Sequence, residues 1–167
     1  TGVLKTVIVG YPDNFLQVEP EIINETQRNF YFGPNRPTRA TVIKQLNNLA
    51  DTLAANGVTV LRPRPIANVP DQLMTRDIGV VVGDTLVITS MAAESRRREW
   101  RGIAYLFEQM HDAEIFVLPE DFVLEGGDVV VDKGKIFIGV GQRTNQAGLD
   151  YFRNHFPDDE TVPVYTQ

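Results

Sequence analysis

Two stretches of this chain carry the same succession of elements about fifty residues apart, and that recurrence constrains the fold more than any other feature. In the first, residues 78–82 (IGVVV) and 85–88 (TLVI) read as strands flanking a Gly83-Asp84 hairpin turn. A helix is expected from about Arg96, with Trp100, Ile103, Ala104 and Phe107 at helical spacing. A strand over 115–118 follows, closed by Pro119. In the second, residues 129–131 and 136–138 flank a turn at Lys133-Gly134. A helix capped by Thr144 or Asn145 comes next, with Leu149, Phe152 and Phe156 on one face, and then a short strand over 162–164.

An earlier, partial copy precedes these two. Residues 4–9 read as a strand. Thr38 caps a helix whose apolar stripe is Val42, Ile43, Leu46, Leu49, Ala50 and Leu53, ending at Asn56-Gly57, and residues 58–61 form the next strand. Between strand and helix lies a long stretch, 11–37, rich in Pro, Asn and Gly, of the kind used as a lid or binding loop, with helical potential over 19–32. The reading is an α/β chain of strand–strand–helix–strand units, about 1–62, 70–119 and 124–167, in one domain. The turn glycines Gly83 and Gly134 lie 51 positions apart.

Composition excludes several functions. With 16 basic against 22 acidic residues the net charge is −6, which opposes binding through nucleic-acid phosphates. No apolar run approaches the ~20 residues that cross a bilayer, and the start has no signal-peptide pattern, so a cytoplasmic protein is expected. Cysteine is absent, which removes disulfides and a thiolate nucleophile from this sequence. With only His111 and His155, a zinc cage is not expected, and neither is any cofactor.

The informative polar residues fall at equivalent points of the repeat. Asp77 and Asp128 each open a hairpin, and Arg96 and Arg143 each stand at the start of the following helix. If the units surround an axis, two carboxylates and two guanidiniums converge. Such a set suits a ligand cationic at one end and anionic at the other, because carboxylate and guanidinium match in bidentate fashion. Taken singly, each has a purely structural alternative. Arg76-Asp77 can be a strand-entry ion pair, residues 96–99 a solvated helix turn, and residues 125–128 a double-glycine turn. Residues 139–144 lack the Gly-Lys-Ser/Thr ending of a phosphate loop. His111 and His155 fall late in expected helices, where they suit the helix dipole.

Read together, Gln72-Leu73-Met74-Thr75-Arg76-Asp77, Met91 with the Arg96-to-Glu99 run, Leu124-Glu125-Gly126-Gly127-Asp128-Val129 and Gly139-Val140-Gly141-Gln142-Arg143-Thr144-Asn145 resemble the ordered motifs of the arginine deiminase, amidinotransferase and dimethylargininase superfamily. The resemblance implies an α/β-propeller (pentein) of five units, of which about three are present here. It implies attack on an arginine-like guanidino substrate by a cysteine, through a covalent adduct, with a histidine as acid and base. On that footing Asp77 and Glu125, rather than Asp128, hold the guanidinium, and Arg96 and Arg143 are candidates for the substrate's α-carboxylate.

Three departures qualify the comparison. Asp71 stands where the deiminase branch carries asparagine, which favours an amine contact. The His-x-Asp motif has no counterpart, and no cysteine is present. The expectation is therefore an N-terminal portion of a guanidino-modifying enzyme, inactive alone, that forms a homo-oligomer or associates with a missing C-terminal half. Alternatives are a non-catalytic guanidino-binding or regulatory module and, against the charge, a ribosome-associated propeller protein.

Overall fold

The computed structural model describes residues 3–17, 19–22 and 25–166. In chain order the elements are β1 (Thr6–Ile8), α1 (Glu25–Phe32), α2 (Arg39–Ala55), β2 (Thr59–Leu61), β3 (Gly79–Val82), β4 (Thr85–Ile88), β5 (Glu114–Val117), β6 (Val129–Asp132), β7 (Lys135–Val140), α3 (Gln146–His155) and β8 (Glu160–Tyr165). They build three open sheets. β1 pairs β2 in parallel, and two three-stranded sheets share one plan: an antiparallel hairpin, then a third strand parallel to the hairpin's second.

The hairpin turns follow from backbone chemistry. Lys133 and Gly134 both take positive φ (47° and 75°), as a two-residue I′-type turn demands. In the first hairpin only Gly83 does so (φ 56°). Gly83 therefore aligns with Lys133 rather than Gly134, and the hairpins are offset by 50 residues, one fewer than the spacing of the turn glycines.

Helix starts obey the side-chain rules. Thr38 caps α2 through the amide of Thr41, and Asn145, not Thr144, caps α3 by accepting from the amide of Gly148 at 2.7 Å. Leu149 and Phe152 are fully buried under α3, each worth about 1.5–3 kcal/mol. On α2 the expected stripe is narrower than read: Val42 and Ala50 are buried, whereas Leu49 is 49% exposed.

The helix expected from Arg96 is instead three 3-10 turns, Glu94–Arg96, Glu99–Gly102 and Ala104–Gln109. Within this segment Gly102 packs against the residues after β2, where only a residue without a side chain fits. Its carbonyl accepts from the amide of Arg64, and a Cβ there would lie 2.8 Å from Arg64 O and Gln72 Nε2. Trp100 and Phe107 still meet, stacked at 6.2 Å.

The cores lie between sheets rather than within them. β4 shows why, since its side chains alternate between two faces. Val87 joins Val82, Leu118, Leu124, Val129, Ile136 and Ile138 in a cluster reaching into the second three-stranded sheet. Leu86 and Ile88 join Ile78, Met91 and Ile103, with Ile8 and Leu61 of the two-stranded sheet packed against them. A third cluster, Phe15, Tyr31 and Val42, seats the long segment before α2. Among the described residues no helix is long and apolar enough to cross a membrane.

Candidate active site

The seam between the two three-stranded sheets collects the charged residues. Ahead of β3 a 3-10 turn, Thr75–Asp77, delivers Asp77, and ahead of β6 the turn Gly126–Asp128 delivers Asp128. Gly126 and Gly127 let the two turns touch. A Cβ on Gly126 would lie 2.5 Å from Gly79 O and 2.7 Å from Arg76 O, and one on Gly127 would land on Asp77 Oδ1. Asp77 can thus reach across the seam. Arg76 does not pair with it: its Nη2 donates to Val129 O at 3.1 Å.

Arg96 lies beneath Asp77, only 6% exposed. Its Nε and Nη2 donate to the two carboxylate oxygens of Glu99 at 2.8 and 3.0 Å, and its Nη1 to Asp77 Oδ2 at 3.0 Å. Nη2 also approaches Met74 O at 3.4 Å. Arg96 and Glu99 therefore form a buried ion pair, while Arg98 between them is exposed. Burial works against the charge of Arg96, but Glu99 and Asp77 outweigh it and hold the guanidinium firmly protonated. All three of its nitrogens donate within the protein.

Arg143 reaches the same carboxylates from the other side. Nη1 lies 3.4 Å from Glu125 Oε2 and 3.7 Å from Asp77 Oδ1, while Nη2 bonds Asp128 Oδ1. The Arg143 side chain is 35% exposed. Glu125 is fully buried; its Oε1 accepts from the amide of Ala92 at 3.2 Å, and its Oε2 has no hydrogen-bond partner. Burial raises the Glu125 pKa above the ordinary carboxylate range, against the pull of Arg96.

Two further carboxylates complete the cluster. Asp71, 2% exposed, accepts from the Tyr31 hydroxyl at Oδ1 and leaves Oδ2 buried without a partner. Burial pushes it up to about 6, with Arg96 opposing. Glu99 is pushed by burial to about 7, with the Arg96 hydrogen bond opposing. The structure thus gathers Asp77, Glu125, Arg96, Arg143 and Asp128 through direct ion pairs, and brings Asp71 within electrostatic reach of Arg96 and Asp77.

Sequence reasoning missed three members. Glu99 carried a signal, its i,i+3 spacing from Arg96. Thr144, fully buried, donates to Asp128 Oδ2 at 2.8 Å and accepts from the amide of Glu125 at 3.1 Å, and Tyr31 reaches Asp71 from forty residues away. Thr144 stands in the Gly139-to-Asn145 motif but was read there only as a candidate helix cap, and Tyr31 had no local signature.

Chemically, five carboxylates gather about two guanidiniums here, and burial pushes three of them, Asp71, Glu99 and Glu125, toward their protonated forms. Residues 11–166 match the family described as N,N dimethylarginine dimethylhydrolase, eukaryotic. The chain belongs to this family. The uncharacterized protein YkgA of Bacillus subtilis is 29% identical over 163 residues, 98% of this chain and 55% of that protein. The N(G),N(G)-dimethylarginine dimethylaminohydrolase of Streptomyces coelicolor is 32% identical over 114 residues, 68% of this chain and 44% of that one. The chain spans about half the length of the curated relatives it matches. In fold it is similar to a Pseudomonas aeruginosa dimethylarginine hydrolase mutant complexed with citrulline, at TM-score 0.79 and 18% identity, covering 99% of this chain and 62% of that one. It is also similar to the amidinotransferase SxtG of Microseira wollei, at TM-score 0.81 and 20% identity, covering 98% and 60%.

Proposed function

We propose that Asp77 and Glu125 form a seat for a planar guanidinium and that this chain is the substrate-recognition part of an enzyme acting on an arginine-like compound. The observation that carries the reading is the convergence of both carboxylates, from the segments that lead into two different sheets, on one guanidinium, that of Arg143. Arg96 braces Asp77 from below, Arg143 stands at the open side, and Asp71 offers an unpartnered oxygen suited to an ammonium group.

Hydrolysis or amidino transfer through a cysteine adduct requires a thiolate and a proton-transferring histidine, and this sequence contains no cysteine. In this reading both groups come from outside the 167 residues, and the three sheets are part of a five-unit propeller. Val81, Val117, Val130 and Tyr165, 47–68% exposed on the sheet strands, support completion by association, either with further chain or with a second copy. Light scattering that shows only monomer at tens of micromolar would remove the oligomer.

Titration calorimetry tests the seat. Arginine should bind the 167-residue chain saturably, and Asp77→Ala should abolish the signal, with no citrulline-type product formed. No binding, or turnover by a verified sample, contradicts the reading. The missing thiol also favours a second reading, a guanidino-binding module without chemistry. The reading frame beyond codon 167 separates the two: a His-x-Asp followed by a cysteine specifies an enzyme.

A further inference from the structure

Tyr31 enters the carboxylate cluster from α1, forty residues away in sequence, and donates its hydroxyl to Asp71 Oδ1. Its ring is firmly held. Tyr31 is 2% exposed, Phe15 lies 5.5 Å from it ring to ring, and Phe30 meets it edge-on at 5.1 Å. The main chain beside Asp71 is equally fixed. The amide of Tyr11 donates to Gln72 O at 2.9 Å, the Asn14 side-chain amide donates to Gln72 Oε1 at 2.9 Å, and a Cβ on Gly10 would land on Leu73 O. The residues before α2 therefore grip residues 71–73 both at the backbone and at the carboxylate. One atom is left over. Asp71 Oδ2 is buried with no hydrogen-bond partner, and the charged groups within its electrostatic reach include Arg96, Asp77 and Glu99.

A tyrosine in need of a buried acceptor is served by a carbonyl or an asparagine, with no charge to bury. Asp71 instead places a carboxylate there and leaves one oxygen unused, the state of a group awaiting a donor. We propose that Tyr31 is a positioning residue for Asp71: by engaging Oδ1 it presents Oδ2 to the ammonium of an arginine-like ligand, so that preference for guanidines bearing an amine is set from α1. The inference rests on the reading of the cluster as a guanidino site and adds to it a residue that touches no ligand. Two physical effects act together. The hydroxyl fixes the rotation of the carboxylate, which is otherwise free to turn toward Arg96. A donated hydrogen bond also favours the ionised carboxylate, the form an ammonium requires.

Calorimetry on the 167-residue chain tests this with arginine and with des-amino arginine, which keeps the guanidine and the carboxylate but lacks the ammonium. The wild-type chain should prefer arginine by about tenfold or more, the worth of one hydrogen bond between charged groups. Tyr31→Phe should remove most of that preference by weakening arginine, while des-amino arginine binds as before. A tyrosine that serves only the packing of α1 weakens both compounds alike. In Asp71→Asn the preference should be gone, and adding Tyr31→Phe should then change neither affinity. If Tyr31→Phe does not fold, Phe15→Leu, which loosens the ring behind Tyr31, should lower the preference in the same direction and decides alone. Equal affinities in the wild-type chain, parallel weakening or an unchanged preference in Tyr31→Phe, or a preference that survives in Asp71→Asn overturns the positioning role and leaves the guanidinium seat standing. Failure of both compounds to bind the wild-type chain overturns the seat and the inference together.

Discussion

Asp71→Asn should make the protein more stable at neutral pH and leave it unaffected near pH 4. Asp71 is 2% exposed, bonded at one oxygen by Tyr31 and unpartnered at the other, and burial lifts its pKa from an ordinary 3.8 to about 6. A raised carboxyl pKa means that the folded state holds its proton more tightly than the unfolded state. Below pH 3.8 both states are protonated and the group contributes no difference. Between 3.8 and about 6 the unfolded chain loses the proton first, so stability falls as pH rises, and above about 6 the cost is complete. At 1.36 kcal/mol per pH unit the displacement corresponds to roughly 3 kcal/mol. For a chain of this length that is about 6–12 °C in Tm. Asparagine keeps the acceptor for Tyr31 and cannot ionise. Its unpartnered amide replaces an unpartnered oxygen, a term that does not vary with pH. Urea unfolding of both proteins from pH 4 to pH 8 follows the titrating part: distant groups cancel in the difference, and Glu99, whose pKa Asp71 helps to raise, adds to it with the same sign. A stability difference that stays flat, or that shrinks as pH rises, refutes the reasoning. The gain should come with weaker arginine binding if Asp71 faces the ligand's ammonium.

Asp77→Ala should cost about 3–5 kcal/mol in thermal unfolding, because it leaves Arg96 buried beside Glu99 alone and removes one neighbour of Arg143. Gly126→Ala should cost about 1–3 kcal/mol by calorimetric melting, since the new methyl meets the carbonyls of Gly79 and Arg76, which belong to the backbone and cannot rotate away. Asn145→Ala should cost about 1 kcal/mol in urea unfolding through loss of the Gly148 amide's acceptor at the start of α3.

Where the sequence was readable, the interactions were local. Alternation in residues 79–82, 85–88, 129–132 and 135–140 and the turns between them depend on neighbours a few positions away, so the hairpins were visible in advance. Apolar spacing of three and four over 100–107 fits an α-helix and a run of 3-10 turns equally. The packing that accompanies the 3-10 turns is non-local, as where Gly102 meets Arg64, 38 positions earlier. The site divides the same way. Asp77, Glu125, Arg96 and Arg143 sit at repeating points or in recognisable motifs, whereas the Tyr31 hydroxyl finds Asp71 only once the segment before α2 has folded down. Asp128 shows how repeat position and motif disagreed: the repeat singled out the residue that holds Arg143, and the motif singled out Glu125, which Arg143 reaches with its other nitrogen.

Among the described residues, neither apolar cluster that β4 joins is confined to one sheet. Val87 and Leu86 are consecutive in β4 yet belong to different apolar clusters, each shared with an adjacent sheet. Dissection at the apparent repeat borders would therefore tear a hydrophobic layer in two instead of releasing autonomous modules. Excised pieces such as 70–119 should behave as collapsed, sticky polypeptides, and limited proteolysis should destroy the remaining body cooperatively rather than shorten it one repeat at a time.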